Sequence, residues 1–119
     1  MKERLFIVNN IQRINPELAV EIGLNESIVF SQIKHLINTS TDTKKIDGEK
    51  WICISFSNLQ KNYFPYWSME IMKNTIKNLE RMGLIKIKNF NQRSGDRANW
   101  YAIDYDEAKK LRSIDVMEE

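Results

Sequence analysis

The spacing of apolar residues changes at Gly83, and this change restricts the fold more than any other feature of the sequence. Between residues 68 and 82 apolar residues recur at helical spacing, whereas between 84 and 90 they alternate with polar residues. The first pattern predicts a helix with one buried face, and the second predicts a half-buried strand. Ser68 is the expected N-cap of the helix, and Gly83 is its expected stop. The predicted buried stripe consists of Met69, Met72, Ile76 and Leu79, bordered by Ile71 and Met82.

The residues after this helix predict an antiparallel hairpin. The strand over 84–90 turns its isoleucines to one side and Lys86 and Lys88 to the other. A second strand is predicted over 99–105, and the polar stretch 91–98 between the two is the predicted loop.

The first half of the chain predicts two helices, a strand and a short helix, because capping residues precede apolar residues at helical spacing. Pro16 after Asn15 fits the first turn of a helix, and Gly23 fits its end. Asn25 is the expected N-cap of the next helix, and the polar stretch 38–48 is predicted to be a surface loop. The predicted elements are helices over 16–22 and from Asn25 to Asn38, a strand over 50–54, a helix over 56–63, an aromatic turn over 64–67, and a terminal helix over 106–113.

This order of elements predicts an α+β fold, mainly α, of the winged helix-turn-helix type. In that arrangement a helix-turn-helix is followed by a two-stranded hairpin, the wing, and the earlier strand completes a three-stranded antiparallel sheet. No internal repeat or linker divides the sequence, so we expect one domain over 1–119. Residues 1–14 are the expected N-terminal arm, and residues 106–119 are the expected C-terminal helix and acidic tail.

Positive charge is concentrated in the middle of the chain. Residues 1–56 hold seven basic and seven acidic residues, residues 57–103 hold eight basic and three acidic, and residues 104–119 hold three basic and six acidic. A basic stretch in a small domain is typical of a surface that binds a polyanion, although a solvated lysine-rich face has the same composition. No apolar run is long enough for a signal peptide or a membrane span. We therefore expect a cytoplasmic protein without membrane contact.

The predicted helix 68–82 places its polar residues opposite the apolar stripe. In the major groove of DNA, lysine donates to guanine and asparagine pairs with adenine, so Asn74 and Lys77 are the candidate base contacts. Basic residues of the hairpin would add phosphate contacts, and with about six neutralised phosphates the logarithm of affinity falls against the logarithm of salt with a slope of about −5. The candidate DNA-binding residues are Ser68, Glu70, Lys73, Asn74, Lys77, Asn78, Arg81, Lys86, Lys88, Gln92, Arg93 and Arg97.

Catalysis, metal binding and cofactor binding are not expected. His35 is the only histidine and has no cysteine or carboxylate at the spacing of a zinc site or a catalytic triad, so we expect it at the surface. Cys53 is the only cysteine and lies in an apolar strand, where we expect it to be buried and inert. Glycine-rich phosphate-binding motifs are missing from the sequence. The aromatic residues of the turn, Tyr66 and Trp67 among them, are expected to pack against the body instead of stacking on single-stranded bases.

Three stretches of the sequence together resemble a known family: FPYWS at 64–68, NLERMGLI at 78–85 and DRANWYAIDY at 96–105. They look like the N-terminal winged-helix domain of replication proteins from phages and mobile elements of low-GC Gram-positive bacteria, the DnaD-like or phage replisome organiser group. The resemblance extends from Ile22 to about Leu111, roughly three-quarters of the chain.

The resemblance implies a DNA-binding module of replication in a bacterial host cell, with replication proteins as further partners. It implies that helix 68–82 is the recognition helix and that Arg97 lies near the wing. Recognition helices of the family tend to carry arginine near the position of Asn74, which is a departure in this sequence. Family members also usually continue into a C-terminal domain that oligomerises or contacts the helicase machinery, whereas this sequence ends at Glu119. A stand-alone relative and a fragment both remain open.

The function predicted from the sequence is non-catalytic binding of double-stranded DNA in phage or mobile-element replication. Two alternatives remain open. A dimeric winged-helix transcriptional regulator would read paired half-sites as a homodimer. A winged-helix protein-interaction module or inhibitor would use the acidic residues of 104–119 as its contact.

Overall fold

A computed structural model describes residues 12–41, 43–88 and 99–112 of the chain. Most of the predicted N-terminal arm, the hairpin loop with Gln92, Arg93 and Arg97, and the tail from residue 113 lie outside the described residues. In chain order the elements are α1 (Pro16–Ile22), α2 (Leu24–Thr39), β1 (Thr43–Ile46), β2 (Glu49–Ile54), α3 (Phe56–Tyr63), α4 (Met69–Arg81), β3 (Ile85–Lys88), β4 (Asn99–Ile103) and α5 (Tyr105–Ala108).

The strands form one antiparallel sheet in the order β1-β2-β4-β3. In its centre Ile52 of β2 lies opposite Tyr101 of β4, and toward the β3 edge Ile103 lies opposite Ile85. The α+β class is therefore confirmed. The prediction of three strands is wrong, because β1 adds a fourth strand beside β2.

The additional strand lies within residues 38–48, which the sequence analysis assigned to a surface loop. Asp47 and Gly48 both have positive φ angles, 52° and 83°, as the two-residue type I′ turn of a hairpin requires. This turn places Ile46 opposite Glu49 and holds β1 against β2. The polar composition of the segment concealed a hairpin whose turn is an Asp-Gly pair.

One face of the sheet packs against the helices and forms the main hydrophobic core. Alternate strand residues such as Ile52, Tyr101 and Ile85 point to that face, where they join buried side chains of α2 and α4. The opposite face, called the outer face below, carries a smaller buried cluster around Trp51 and Trp100. The expected burial of the two strand tryptophans and Tyr101 is confirmed, since each is less than a tenth exposed.

Capping residues set the bounds of three predicted helices. Asn15, Ser55 and Ser68 each accept a hydrogen bond from a backbone N–H in the first turn of α1, α3 and α4. These helices have the predicted bounds to within one residue, with Met82 acting as the C-cap of α4.

Helix α2 begins earlier than predicted. The sequence favoured Asn25 as the N-cap, but the helix starts at Leu24 with Gly23 as its N-cap. The N–H of Gly23 donates to the carbonyl of Ala19, and its own carbonyl accepts from the N–H of Ser27, each at 2.8 Å. One residue therefore ends α1 and begins α2. Its φ of 113° is readily accessible only to glycine.

Helix α5 is shorter than the predicted terminal helix over 106–113. It is a single turn, Tyr105–Ala108, capped by the carboxylate of Asp104. Beyond it, the backbone N–H of Arg112 donates to Oε2 of Glu21 in α1 at 3.0 Å. Because the N–H of Arg112 is bound to a side chain of α1, it does not form a helical hydrogen bond. The helical hydrogen bonds therefore end before Arg112.

His35 and Cys53 lie on different elements, α2 and β2. Cys53 is half-buried, and not fully buried as predicted, because it packs at the margin of the tryptophan cluster. His35 is exposed on α2, as expected. Among the described residues no group of three His, Cys, Asp or Glu side chains is placed to hold a metal ion. Within the same ranges no helix combines the length and apolar character needed to cross a membrane.

Burial of Tyr101 predicts a loss of stability at alkaline pH. Its side chain is fully buried, and burial raises the pKa of its hydroxyl from the ordinary 10.0 to about 12. Below pH 10 the phenol is protonated in both states, whereas between these two pKa values the unfolded state alone loses the proton. The free energy of unfolding should then fall by up to about 1.4 kcal/mol per pH unit, measurable by urea unfolding at stepped pH.

The variant Tyr101→Phe should have a shallower alkaline slope than the wild type. Part of the slope should remain, because a hydrogen bond to Glu49 raises the pKa of Lys86 in the folded state. At alkaline pH the unfolded state therefore loses this proton first, which also lowers the free energy of unfolding. An unchanged slope in Tyr101→Phe would show that this phenol does not carry the effect.

Candidate nucleic-acid interface

A stack of aromatic rings holds the connection between α3 and α4. Phe64 is fully buried, and its ring lies parallel to that of Trp67, with ring centroids 5.0 Å apart and planes 7° apart. The side-chain amide of Gln60 donates to the carbonyls of Phe64 and Trp67, at 3.3 and 2.8 Å. Pro65, which follows Phe64 in the sequence, lacks the N–H needed to continue α3. These contacts fix the direction in which α4 leaves α3.

Tyr66 is the exposed member of this turn. Its ring packs edge-on against Phe64 and Trp67, while 60% of the residue remains accessible. Its hydroxyl donates to Oε1 of Gln12, and the amide nitrogen Nε2 of the same Gln12 donates to the carbonyl of Tyr63. Partial burial raises the pKa of the Tyr66 hydroxyl. The predicted packing of the turn is confirmed for Phe64 and Trp67, and Tyr66 stays accessible.

One face of α4 is fixed in the core. Full burial of each apolar side chain contributes about 2 kcal/mol, so the helix is strongly held in this rotation. Thr75 tolerates burial because its hydroxyl donates to the carbonyl of Ile71 at 2.8 Å and so is satisfied. The buried residues of α4 are Met72, Thr75, Ile76 and Leu79, and Met69 at its start is half-buried.

The polar side of α4, called the recognition face below, faces solvent. The ammonium group of Lys73 lies 6.0 Å from the ring centre of Phe56 in α3, a cation–π distance that keeps this lysine at the junction of the two helices. Asn74 and Lys77 make no hydrogen bond or ion pair within the described part of the chain, so both side chains are open to a partner. The recognition face consists of the exposed residues Glu70, Lys73, Asn74, Lys77 and Arg81.

Asn78 points toward α2 instead of joining the recognition face. Its amide group donates to Oε2 of Glu26 at 2.8 Å, and its carbonyl oxygen accepts from Arg81 at 3.0 Å. The carboxylate of Glu26 lies against Gly23, where a Cβ atom would overlap it. Asn78 therefore connects α2 to α4 and orients Arg81, a role that differs from the predicted DNA contact. Ser68 likewise uses its hydroxyl as the N-cap of α4.

Lys86 and Lys88 project from the outer face of the sheet. Lys86 donates to the carboxylate of Glu49, and this hydrogen bond raises the pKa of Lys86. The ammonium group of Lys88 lies 5.9 Å from the ring centre of Trp51. The other side of β3 packs against the helices, so the sheet separates these two lysines from the lysines of α4.

The predicted site omits three lysines of the first hairpin. Lys44 lies on the outer face, with its ammonium group 5.3 Å from the ring centre of Trp100. Lys45 and Lys50 are exposed and lie directly opposite each other across the strands. The Asp-Gly pair at 47–48 is a sequence signal for a hairpin turn. This signal predicts the hairpin whose strands carry these lysines.

Comparison of the sequence with protein-family models, with curated proteins and with solved structures gives no match in any of the three. What the chain binds is therefore inferred from the recognition face and from the contacts that hold α4 in place.

Removing the side chain of Asn78 should destabilise the protein more than removing that of Asn74. Asn78→Ala deletes two hydrogen bonds at a half-buried position, at a cost of about 1–2 kcal/mol in the free energy of unfolding. Asn74→Ala lies one turn earlier at an exposed position and should change stability by less than about 0.5 kcal/mol. Urea unfolding of both variants beside the wild type measures the difference. Equal stabilities would contradict the connecting role of Asn78.

Proposed function

We propose that the chain is a winged-helix protein that binds double-stranded DNA without catalysing a reaction, with α4 as its recognition helix. The observation that carries the proposal is the recognition face, where Lys73, Asn74 and Lys77 are exposed on a helix whose opposite side is fixed in the core. Helix α3, the rigid turn and α4 follow the order of a helix-turn-helix, and β3 and β4 follow in the place of a wing.

The side chains of the recognition face suit the edges and backbone of a major groove. Lysine donates to guanine or to phosphate, asparagine pairs with adenine, and glutamate accepts from cytosine. Arg81 is held at one nitrogen by Asn78, which leaves its other guanidinium donors for a phosphate oxygen. Phosphate contacts would supply most of the affinity. Asn74 would read a base, and Lys77, whose ammonium group donates to guanine or to phosphate, would contribute to both kinds of contact.

The outer-face lysines contribute less than α4 in this proposal. Lys86 already binds Glu49, and Lys88 lies over Trp51. Lys86 would first have to leave this ion pair, and the sheet separates both lysines from the polar side of α4. We therefore assign the main phosphate contacts to Lys73, Lys77 and Arg81.

The proposed biological role is replication of a phage or mobile element in the cytoplasm of a bacterial host cell, with replication proteins as further partners. The support for this role is the resemblance of residues 64–68, 78–85 and 96–105 to the DnaD-like and phage replisome organiser group. A dimeric transcriptional regulator would use the same recognition face. A monomeric mass both free and on a duplex would exclude that regulator.

Replacing the two central lysines of α4 should weaken duplex binding and reduce its salt dependence. In Lys73→Ala/Lys77→Ala, two lost phosphate contacts lower the slope of log affinity against log salt by about 2. Fluorescence anisotropy of a labelled random-sequence duplex at stepped salt measures both quantities. The matched control Lys109→Ala/Lys110→Ala removes the same charge from exposed positions after α5 and should bind nearly as the wild type does.

Three outcomes would count against the proposal. Equal losses in the two double variants would show that binding follows net charge and not the recognition face. No binding of duplex by the wild type at low salt would favour a protein-interaction module. Tighter binding of single strands than of duplex, with quenching of tryptophan fluorescence, would favour stacking on Tyr66 and Trp67.

Asn74 should affect sequence preference without affecting binding to random DNA. Once a preferred duplex has been selected from a random pool, Asn74→Ala should lose about 1–3 kcal/mol of discrimination at one base pair. Its affinity for random-sequence duplex should remain that of the wild type. A uniform loss on both duplexes would show that Asn74 contacts the backbone instead.

A further inference from the structure

Two lysines of the first hairpin, Lys45 in β1 and Lys50 in β2, lie directly opposite each other. Ile46 and Glu49 close the two-residue turn as a hydrogen-bonded pair. Lys45 and Lys50, the next pair, are therefore a non-hydrogen-bonded pair, whose Cα atoms are about 4.5 Å apart. Both lysines are exposed. The turn geometry holds this register and therefore holds the two positive charges together.

No carboxylate in the described ranges forms an ion pair with these two lysines. Glu49 is adjacent in sequence, but it points to the outer face and binds Lys86. Asp47 is exposed in the turn and forms no ion pair with either lysine. Like charges directly opposite each other destabilise paired strands. Folding alone therefore disfavours the pair, and an anion between the two ammonium groups would relieve the repulsion.

The lysine pair lies on the side of the sheet that carries the helices. Extending the β2–β4 register by two residues places Lys50 level with Ile103, which lies opposite Ile85 at the start of β3. With about 4.8 Å between neighbouring strands, Lys45 is roughly 14 Å from Ile85 in this row. Because β3 begins shortly after α4 ends, the pair lies at the end of the sheet where α4 ends.

We propose that Lys45 and Lys50 bind the phosphate backbone of DNA beside the segment contacted by the recognition face. This inference rests on the proposed DNA binding and adds a second contact to it, from a hairpin outside the helix-turn-helix. Each ammonium group donates to phosphate oxygens, and each neutralised phosphate releases a share of the counterions that surround the duplex. The contact positions the duplex and carries no sequence information.

The surroundings of the pair favour a phosphate backbone over a protein partner. Protein interfaces typically have an apolar centre, but the turn beside the pair offers no apolar side chain, because Gly48 has none and Asp47 is an exposed acid. The single negative charge of Asp47 is outnumbered by the two lysines. The apolar residue of this hairpin end, Ile46, packs on the tryptophan cluster of the outer face. Lysine is a flexible point charge without a fixed hydrogen-bond geometry, which suits a contact that reads charge alone.

The test compares Lys45→Gln/Lys50→Gln with the wild type and with the matched control Lys109→Gln/Lys110→Gln. Anisotropy of a labelled random-sequence duplex is measured at stepped salt. In the first variant the slope of log affinity against log salt should fall by about 2, and affinity near 0.1 M salt should fall on the order of tenfold. The control should bind as the wild type does. Lys45→Arg/Lys50→Arg keeps both charges and should restore the wild-type slope.

Thermal melting separates loss of binding from loss of fold. The glutamine variant should melt at the wild-type temperature or above it, because the repulsion between the lysines is gone. A lower melting temperature would show that the pair stabilises the fold and would overturn the inference.

The remaining outcomes separate this inference from the proposed function. A wild-type slope in the glutamine variant, with weakened binding in Lys73→Ala/Lys77→Ala, would overturn the hairpin contact and leave DNA binding by α4 in place. Equal losses in the glutamine variant and its control would also overturn it, since binding would follow net charge. A wild-type protein that binds no duplex would overturn both.

Discussion

The burial of one side of α4 sets the orientation of every proposed base contact. The buried side chains there are Met72, Ile76 and Leu79. At about 2 kcal/mol for each buried side chain, turning the helix outward would cost about 6 kcal/mol, which is comparable to the whole stability of a small domain. The aromatic turn fixes the first end of the helix, and the hydrogen bond between Asn78 and Glu26 fixes the other end against α2. The recognition face is exposed as a consequence of these three constraints.

The sheet divides the basic residues of the chain into surfaces that the net charge does not reveal. Lys86 and Lys88 interact with Glu49 and Trp51 on the outer face, whereas the lysines of α4 have no carboxylate partner in the described residues. The lysine pair of the first hairpin forms a third group at the end of the sheet where α4 ends. A count of charges along the sequence combines these groups, although in the described ranges they lie on different surfaces.

Local patterns predicted most of the helices, and contacts between distant residues account for much of what was missed. Ser68 begins α4 with a hydrogen bond to its side-chain hydroxyl, and Gly83 follows its end with a positive φ; both residue types are visible in the sequence. The partner of Asn78 lies 52 residues away, so no local pattern distinguishes this asparagine from Asn74 on the same polar side. The contact of the Arg112 amide with Glu21 likewise joins residues 91 positions apart. The fourth strand is different, because its Asp-Gly turn is local and the surrounding polar residues concealed it.

Backbone amide chemical shifts of the nitrogen-15-labelled protein, followed as a short duplex is added, test most directly whether α4 lies against DNA. We expect the largest changes at Lys73, Asn74 and Lys77, with a second group of changes at Lys45 and Lys50. The exposed residues of α1 and α5 should change little. Changes confined to α1 and α5, or no change at any amide, would contradict DNA binding through the recognition face.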